Sequence, residues 1–191
     1  MVSWSALVVL PVVGLVEALL LCCGQPAVAG AQGSPPNLGR FDPSAIEVVE
    51  RMLQMANVTR DDVLYDLGSG DGRIVILAAR RYGARGVGVE IDPQLVSSSR
   101  ENAKRNGVDR LVTFVNADAL TVDVSPATVV TLFLTREGNL LLRPKLQSQL
   151  RPGARVVSHW HDMGDWAPER VERLTPGNAR TRPVYLWRIA R

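Results

Sequence analysis

The stretch Asp66-Leu67-Gly68-Ser69-Gly70-Asp71-Gly72 constrains this chain more than any other. It follows the apolar run Val63-Leu64-Tyr65 and precedes Arg73 to Tyr82, where Ile74, Leu77 and Ala78 recur at helical spacing until Gly83. A buried strand, glycines at alternate positions and then a helix make the tight turn of a parallel α/β sheet. The alternation continues downstream. Gly86 to Glu90 reads as a second buried strand, Asp92-Pro93 as an N-cap with proline in the first helical position, and Asn106-Gly107 as that helix's stop. Further strands are expected at Val112 to Val115, Thr128 to Leu134, Arg155 to Ser158 and Val184 to Ile189, with a helix around Pro144 to Leu150. Upstream, Asp42-Pro43 reads as another cap, opening a helix to about Ala56 with Ile46, Val49 and Leu53 on one face. Strands alternating with helices predict a mostly parallel sheet covered on both faces. Ligands of such sheets bind at the carboxyl ends of the strands.

The glycine turn indicates which ligand. A dinucleotide fold wants G-x-G-x-x-G so that the pyrophosphate meets a helix N-terminus. Here Gly68, Gly70 and Gly72 follow G-x-G-x-G, and Asp71 stands where phosphate oxygens would come. A carboxylate there repels a diphosphate but attracts a ligand with a cationic amino-acid end. S-adenosyl-L-methionine has an ammonium and a sulfonium and no phosphate. On this reading Asp66 holds the ammonium through a charge-assisted bond. Gly68, Ser69, Gly70, Asp71 and Gly72 wrap the ligand closely. Glu90, 22 positions after Gly68, ends the second strand near the roughly 20-residue spacing at which a carboxylate takes ribose hydroxyls, with Ile91 beside it. Asp118, with Ala119, follows the third strand and can accept from an adenine amino group. The same residues also suit a plain turn, with Asp71 capping the helix and Asp118 making a bend.

At this point the sequence resembles a known family. "DLGSGDGRIVILAARRYGARGVGVEIDPQLV" looks like the first motifs of class I, Rossmann-like S-adenosylmethionine-dependent methyltransferases. "FDPSAIEVVERML", "VVTLFLTREGNLLLRPKLQSQLRPGARVVSHWHDMGDW" and the closing "YLWRI" resemble a prokaryotic group related to mitochondrial protein-lysine methyltransferases that modify the ATP synthase c subunit and the adenine nucleotide carrier. The resemblance implies a seven-stranded sheet with its last strand antiparallel. It also implies that Asp66, Gly68 and Gly70 line the methionine part of the cofactor, Glu90 the ribose and Asp118 the adenine. The chain departs from the family's usual opening at Phe41-Asp42-Pro43, where an aromatic, an apolar residue, Pro and Thr are more typical.

Methyl transfer needs a neutral nucleophile held against the methyl group, so no catalytic dyad is required. Glu137 is a candidate base, or half of a surface salt bridge. His159 and His161, the only histidines, stand two apart with Trp160 and Asp162. On an extended segment they would face one side, as a base or metal pair, or as a polar rim with tryptophan packing; no metal site is assigned. The run Thr131 to Glu137 lacks the Asn-Pro-Pro-aromatic or Asp-Pro-Pro-aromatic sequence of many adenine and amide methyltransferases. A methyl acceptor such as a membrane-protein lysine is expected, with small-molecule or lipid methylation and non-catalytic cofactor binding as competing readings. No nucleic-acid partner is expected, because the net charge of +3 comes from basic residues interspersed with acidic ones.

The 191 residues suffice for one domain. Cys22 and Cys23, adjacent and alone, can neither staple a fold nor build a zinc site. From Ala6 to Cys23 the only charge is Glu17, and a Pro/Gly-rich stretch follows. Residues 1–31 therefore read as a signal peptide or membrane anchor, 32–40 as a linker and 41–191 as the methyltransferase domain. Cleavage near Ala29 or Ala31 would export the domain. Retention would hold it at a membrane through residues 6–23, facing the cytosol where the cofactor is made.

Overall fold

Seven strands form one sheet in the order β3-β2-β1-β4-β5-β7-β6. They are β1 (Val63–Leu67), β2 (Arg85–Glu90), β3 (Val112–Asn116), β4 (Val129–Leu132), β5 (Arg155–His159), β6 (Arg170–Leu174) and β7 (Arg182–Arg188). The helices are α1 (Ile46–Met55), α2 (Arg73–Tyr82), α3 (Pro93–Arg105) and α4 (Arg136–Gln149). The computed structural model describes residues 38–39, 42–177 and 181–190. The first five strands pair in parallel, and β7 runs antiparallel to both β5 and β6. This is the Rossmann-like arrangement expected, last strand included.

The strand order reverses between β1 and β4, which opens a crevice at their carboxyl ends. Register places Asp66 beside Gly88 on one side and Thr131 on the other, and Glu90 beside Asn116. Apolar side chains fill both faces of the sheet. Val49, Leu53, Val75 and Ala78 share one cluster with Leu64 and Val129, and Leu142 and Leu146 share the other with Leu67, Leu132 and Trp187. Burial on both faces is why β1, β4 and β5 read as near-continuous apolar runs.

Several elements match the sequence reading. Asp92 caps α3 by accepting from the Gln94 amide at 2.8 Å, with Pro93 in the first turn. Gly83 ends α2. Others differ. Asp42-Pro43 does not open α1, which starts at Ile46 after Ala45 and has no side-chain cap. Ile46 is exposed, and the buried stripe is Val48, Val49, Met52, Leu53 and Met55. Helix α4 begins well before Pro144, at Arg136, because the Thr135 hydroxyl accepts from the Gly138 amide at 3.0 Å. Pro144 then sits inside the helix, its cost offset by Leu142 and Leu146 in the core. Strand β4 ends at Leu132, so Phe133 and Leu134 leave the sheet. Strand β6 gave no alternating apolar signal, being an edge strand whose residues are mostly exposed and charged.

The membrane placement requires correction. Among the described residues no helix is long and apolar enough to cross a membrane. The longest, α4, has 14 residues, about 21 Å against a hydrocarbon core of about 30 Å. The leader 1–31, with the expected anchor 6–23 and the cleavage sites at Ala29 and Ala31, lies outside the described residues, as does the linker except for Leu38 and Gly39.

Candidate functional site

The turn after β1 is built to run close past something. Gly68, Gly70 and Gly72 have φ of 81°, 54° and 79°, the left-handed region open mainly to glycine. A Cβ on Gly68 would stand 2.6 Å from a Leu134 methyl, and one on Gly72 2.6 Å from the Phe114 ring. The turn is held from behind. The amides of Gly68 and Ser69 donate to the Val89 carbonyl, and the Ser99 hydroxyl donates to the Gly70 carbonyl at 2.8 Å.

Glu90 fastens the turn to β2. One carboxylate oxygen accepts from the Gly70 amide at 2.9 Å and the other from the Asp92 amide at 3.0 Å. Asp66 is different. Thr131 donates to its Oδ1 at 2.7 Å, while its Oδ2 is buried with no hydrogen-bond partner. Burial raises the Asp66 carboxyl to about 7; the Thr131 bond opposes this, and the neighbouring charges of Glu90 and Asp71 add to it. Ser69 Oγ is likewise buried without a partner.

Asp71 does not present a free charge. The Arg73 guanidinium donates to both its oxygens, at 2.9 and 2.7 Å, and a third nitrogen donates to the Ser44 carbonyl at 2.8 Å. Burial alone would raise the Asp71 carboxyl, but the Arg73 bonds outweigh it and hold the group below the usual carboxylate range. Arg73 is thus the partner that the motif did not reveal. Asp118 makes the bend considered for it, accepting from the Leu120 amide at 2.9 Å.

These groups meet in a cavity of about 410 Å³ at the carboxyl ends of β1, β2 and β4. Of the ten cofactor candidates, Asp66, Gly68, Ser69, Gly70, Asp71, Glu90, Ile91, Asp118 and Ala119 line it. Gly72 does not; it is the N-cap of α2, packed toward Phe114. The structure adds Leu38, Ser44, Leu95, Phe133 and Leu134 to the wall. Leu38 and Ser44 come from the segment before α1, whose approach to the strand ends has no local sequence signal.

None of the three catalytic candidates is a lining residue. Glu137 is exposed in the first turn of α4. His159 ends β5, is 1% exposed, and shares a 2.9 Å hydrogen bond between its Nδ1 and Ser44 Oγ. Its Nε2 has no partner, and burial, aided by the charges of Arg182 and His161, lowers its pKa to about 4. Burial also lowers His161, although Glu137 and Asp162 oppose it. The histidines do not share a strand face, because Trp160 between them has φ of 76° and the His161 amide turns back to the His159 carbonyl at 3.0 Å. Among the described residues no group of three or more His, Cys, Asp or Glu is arranged to hold a metal ion.

A cavity lined by several carboxylates, with an orphaned carboxylate oxygen, an orphaned hydroxyl and an exposed apolar Ile91, fits a cationic sulfur nucleoside. Comparison with known proteins agrees. The family model for the ANTKMT methyltransferase domain matches residues 66–170. A protein-lysine N-methyltransferase of Saccharolobus islandicus is 43% identical over 150 residues, which are 78% of this chain and 92% of that protein. The chain belongs to the ANTKMT methyltransferase family. The methyltransferase, dependent on S-adenosylmethionine, is also similar to the human lysine N-methyltransferase of the ATP synthase c subunit, 37% identical over 69% of this chain but only 55% of that protein. It spans about half the length of that human relative. Among solved structures, an RNA methyltransferase from Salinibacter ruber in complex with S-adenosyl-L-homocysteine shares 55% identity at a TM-score of 0.75, covering 78% of this chain and 94% of that one.

Proposed function

We propose that this methyltransferase, through the domain 41–191, methylates the side-chain amine of a lysine in a protein acceptor. The observation that carries the reading is the 43% identity with the Saccharolobus protein-lysine N-methyltransferase, nearly the whole of which the chain covers. The site supplies what such a reaction needs. Asp66 Oδ2, which has no hydrogen-bond partner, would accept from the cofactor's ammonium, Glu90 would hold the ribose, and Asp118, Ile91 and Ala119 would border the adenine. When bound, S-adenosylmethionine supplies an electrophilic methyl group on a sulfonium. The chain's own part is to hold the acceptor nitrogen in line and keep water out, which proximity can make worth several kcal/mol, up to roughly 7–11. Leu38, Phe133 and Leu134 give the cavity an apolar wall. Such a wall disfavours the ammonium form of a lysine and so delivers the neutral amine.

RNA is the second acceptor class, favoured by the Salinibacter neighbour. Against it, Thr131 to Glu137 lacks the Pro-Pro-aromatic run of many base methyltransferases, and the basic residues form no cluster in the sequence. Incubation with methyl-labelled cofactor and cell extract, followed by separate protease and ribonuclease digestion, separates the two. Label released as methyllysine is expected. Label confined to nucleosides, or to solvent-extractable small molecules or lipids, would replace the reading.

A further inference from the structure

The four residues before α1 have an unusual exposure pattern. Asp42, Pro43 and Ala45 are exposed, whereas Ser44 between them is 3% exposed. A short polar side chain buried amid exposed neighbours acts as a peg, and its partners show what it is pegged to. Its hydroxyl meets His159 Nδ1 at the end of β5, 115 residues away. Its carbonyl accepts from Arg73, which is itself fixed by two bonds to Asp71 in the glycine turn. One residue thus joins the start of α2 to the end of β5 across the mouth of the crevice. Asp42, Pro43 and Ser44 all line the cavity.

The receiving corner is built at a cost. Trp160 holds a left-handed backbone that non-glycine residues rarely adopt. That turn ends β5 at His159, and the Trp160 amide donates to the Pro183 carbonyl at 2.7 Å. It also sets the Trp160 ring under the Arg182 guanidinium, 4.0 Å away, and Arg182 pairs with Asp42 at 3.9 Å. The two contacts from the corner therefore land on the same segment, at Asp42 and Ser44. The exposed ion pair contributes little; the buried hydroxyl–imidazole bond is the stronger tie. His159 also packs on Phe133, a lining residue, with ring centroids 4.2 Å apart.

We propose that Ser44 is a positioning residue of the methyl transfer: through His159 and Arg73 it fixes segment 42–45 as a wall shared by the cofactor and acceptor ends of the cavity. On this assignment His159 serves as an anchor, set behind Phe133 and Ser44. The inference rests on the methyltransferase reading and deepens it.

The test is calorimetry with S-adenosylhomocysteine, joined to steady-state kinetics, on Ser44→Ala, Ser44→Thr and His159→Phe. Loss of one buried hydrogen bond predicts a fall of about five- to tenfold in S-adenosylhomocysteine affinity and a comparable loss in kcat for Ser44→Ala. Ser44→Thr keeps the hydroxyl and should stay within about twofold of wild type. His159→Phe keeps the bulk but denies Ser44 its partner, so it carries the Ser44→Ala expectation even if that variant does not fold. A folded Ser44→Ala or His159→Phe protein with affinity and kcat within twofold of wild type overturns the inference. Wild-type protein that takes up no S-adenosylhomocysteine would instead overturn the reading beneath it.

Discussion

At the ends of β1 and β2 the cavity is made chiefly by Asp66, the glycine turn that follows it and Glu90; at the end of β4 it is made by Phe133, Leu134 and Ser44, drawn from segments some 90 residues apart in sequence. The first end is a local structure. Its glycines turn the chain, Glu90 ties the turn to the next strand, and the chemistry follows from residue types at fixed spacing. The second end is assembled through long-range contacts, of which Ser44 with His159 is the clearest. A turn must be encoded where it occurs. A wall can be recruited from anywhere that packing brings a side chain.

That contrast can be broken most severely at the local end. Gly72→Val places a branched side chain at φ 79° and against the Phe114 ring, and should destabilise the fold by about 2–5 kcal/mol in urea denaturation. A smaller loss would mean that the turn is not the rigid element described. Glu90→Ala leaves the Gly70 and Asp92 amides without acceptors and should weaken S-adenosylhomocysteine binding by about 1.5–3 kcal/mol in calorimetry. Unchanged binding would remove Glu90 from the ribose role.

Asp66 sharpens the comparison through pH. Its folded pKa is raised to about 7, whereas an unfolded aspartate titrates near about 3.9. Between those values the folded chain holds a proton that the unfolded chain has lost. Its contribution to stability is therefore complete below about pH 4 and disappears as pH rises through about 7, at up to about 1.4 kcal/mol per pH unit. Asp66→Asn lacks this dependence, so its stability relative to wild type should rise between pH 4.5 and 7.5. A constant difference between the two proteins would show that Asp66 is ionised throughout. The smallest effects are expected from Glu137→Ala and His161→Ala, which should leave S-adenosylhomocysteine affinity within about twofold, since neither residue lines the cavity. A large loss would place them nearer the cofactor than the fold does.

The sequence by itself determined the α/β alternation and the glycine turn, and nine of the ten candidates it offered line the cavity, because strand, cap and turn preferences act over a few neighbours. It could not reveal that Asp71 is neutralised by Arg73, that Pro144 lies inside α4, or that Trp160 turns the two histidines apart. Nor could it place Leu38 and Ser44 on the cavity wall. Those facts depend on which elements meet in space. Only the assembled sheet, which sets the end of β5 beside the segment before α1, decides what each buried polar atom finds to bond.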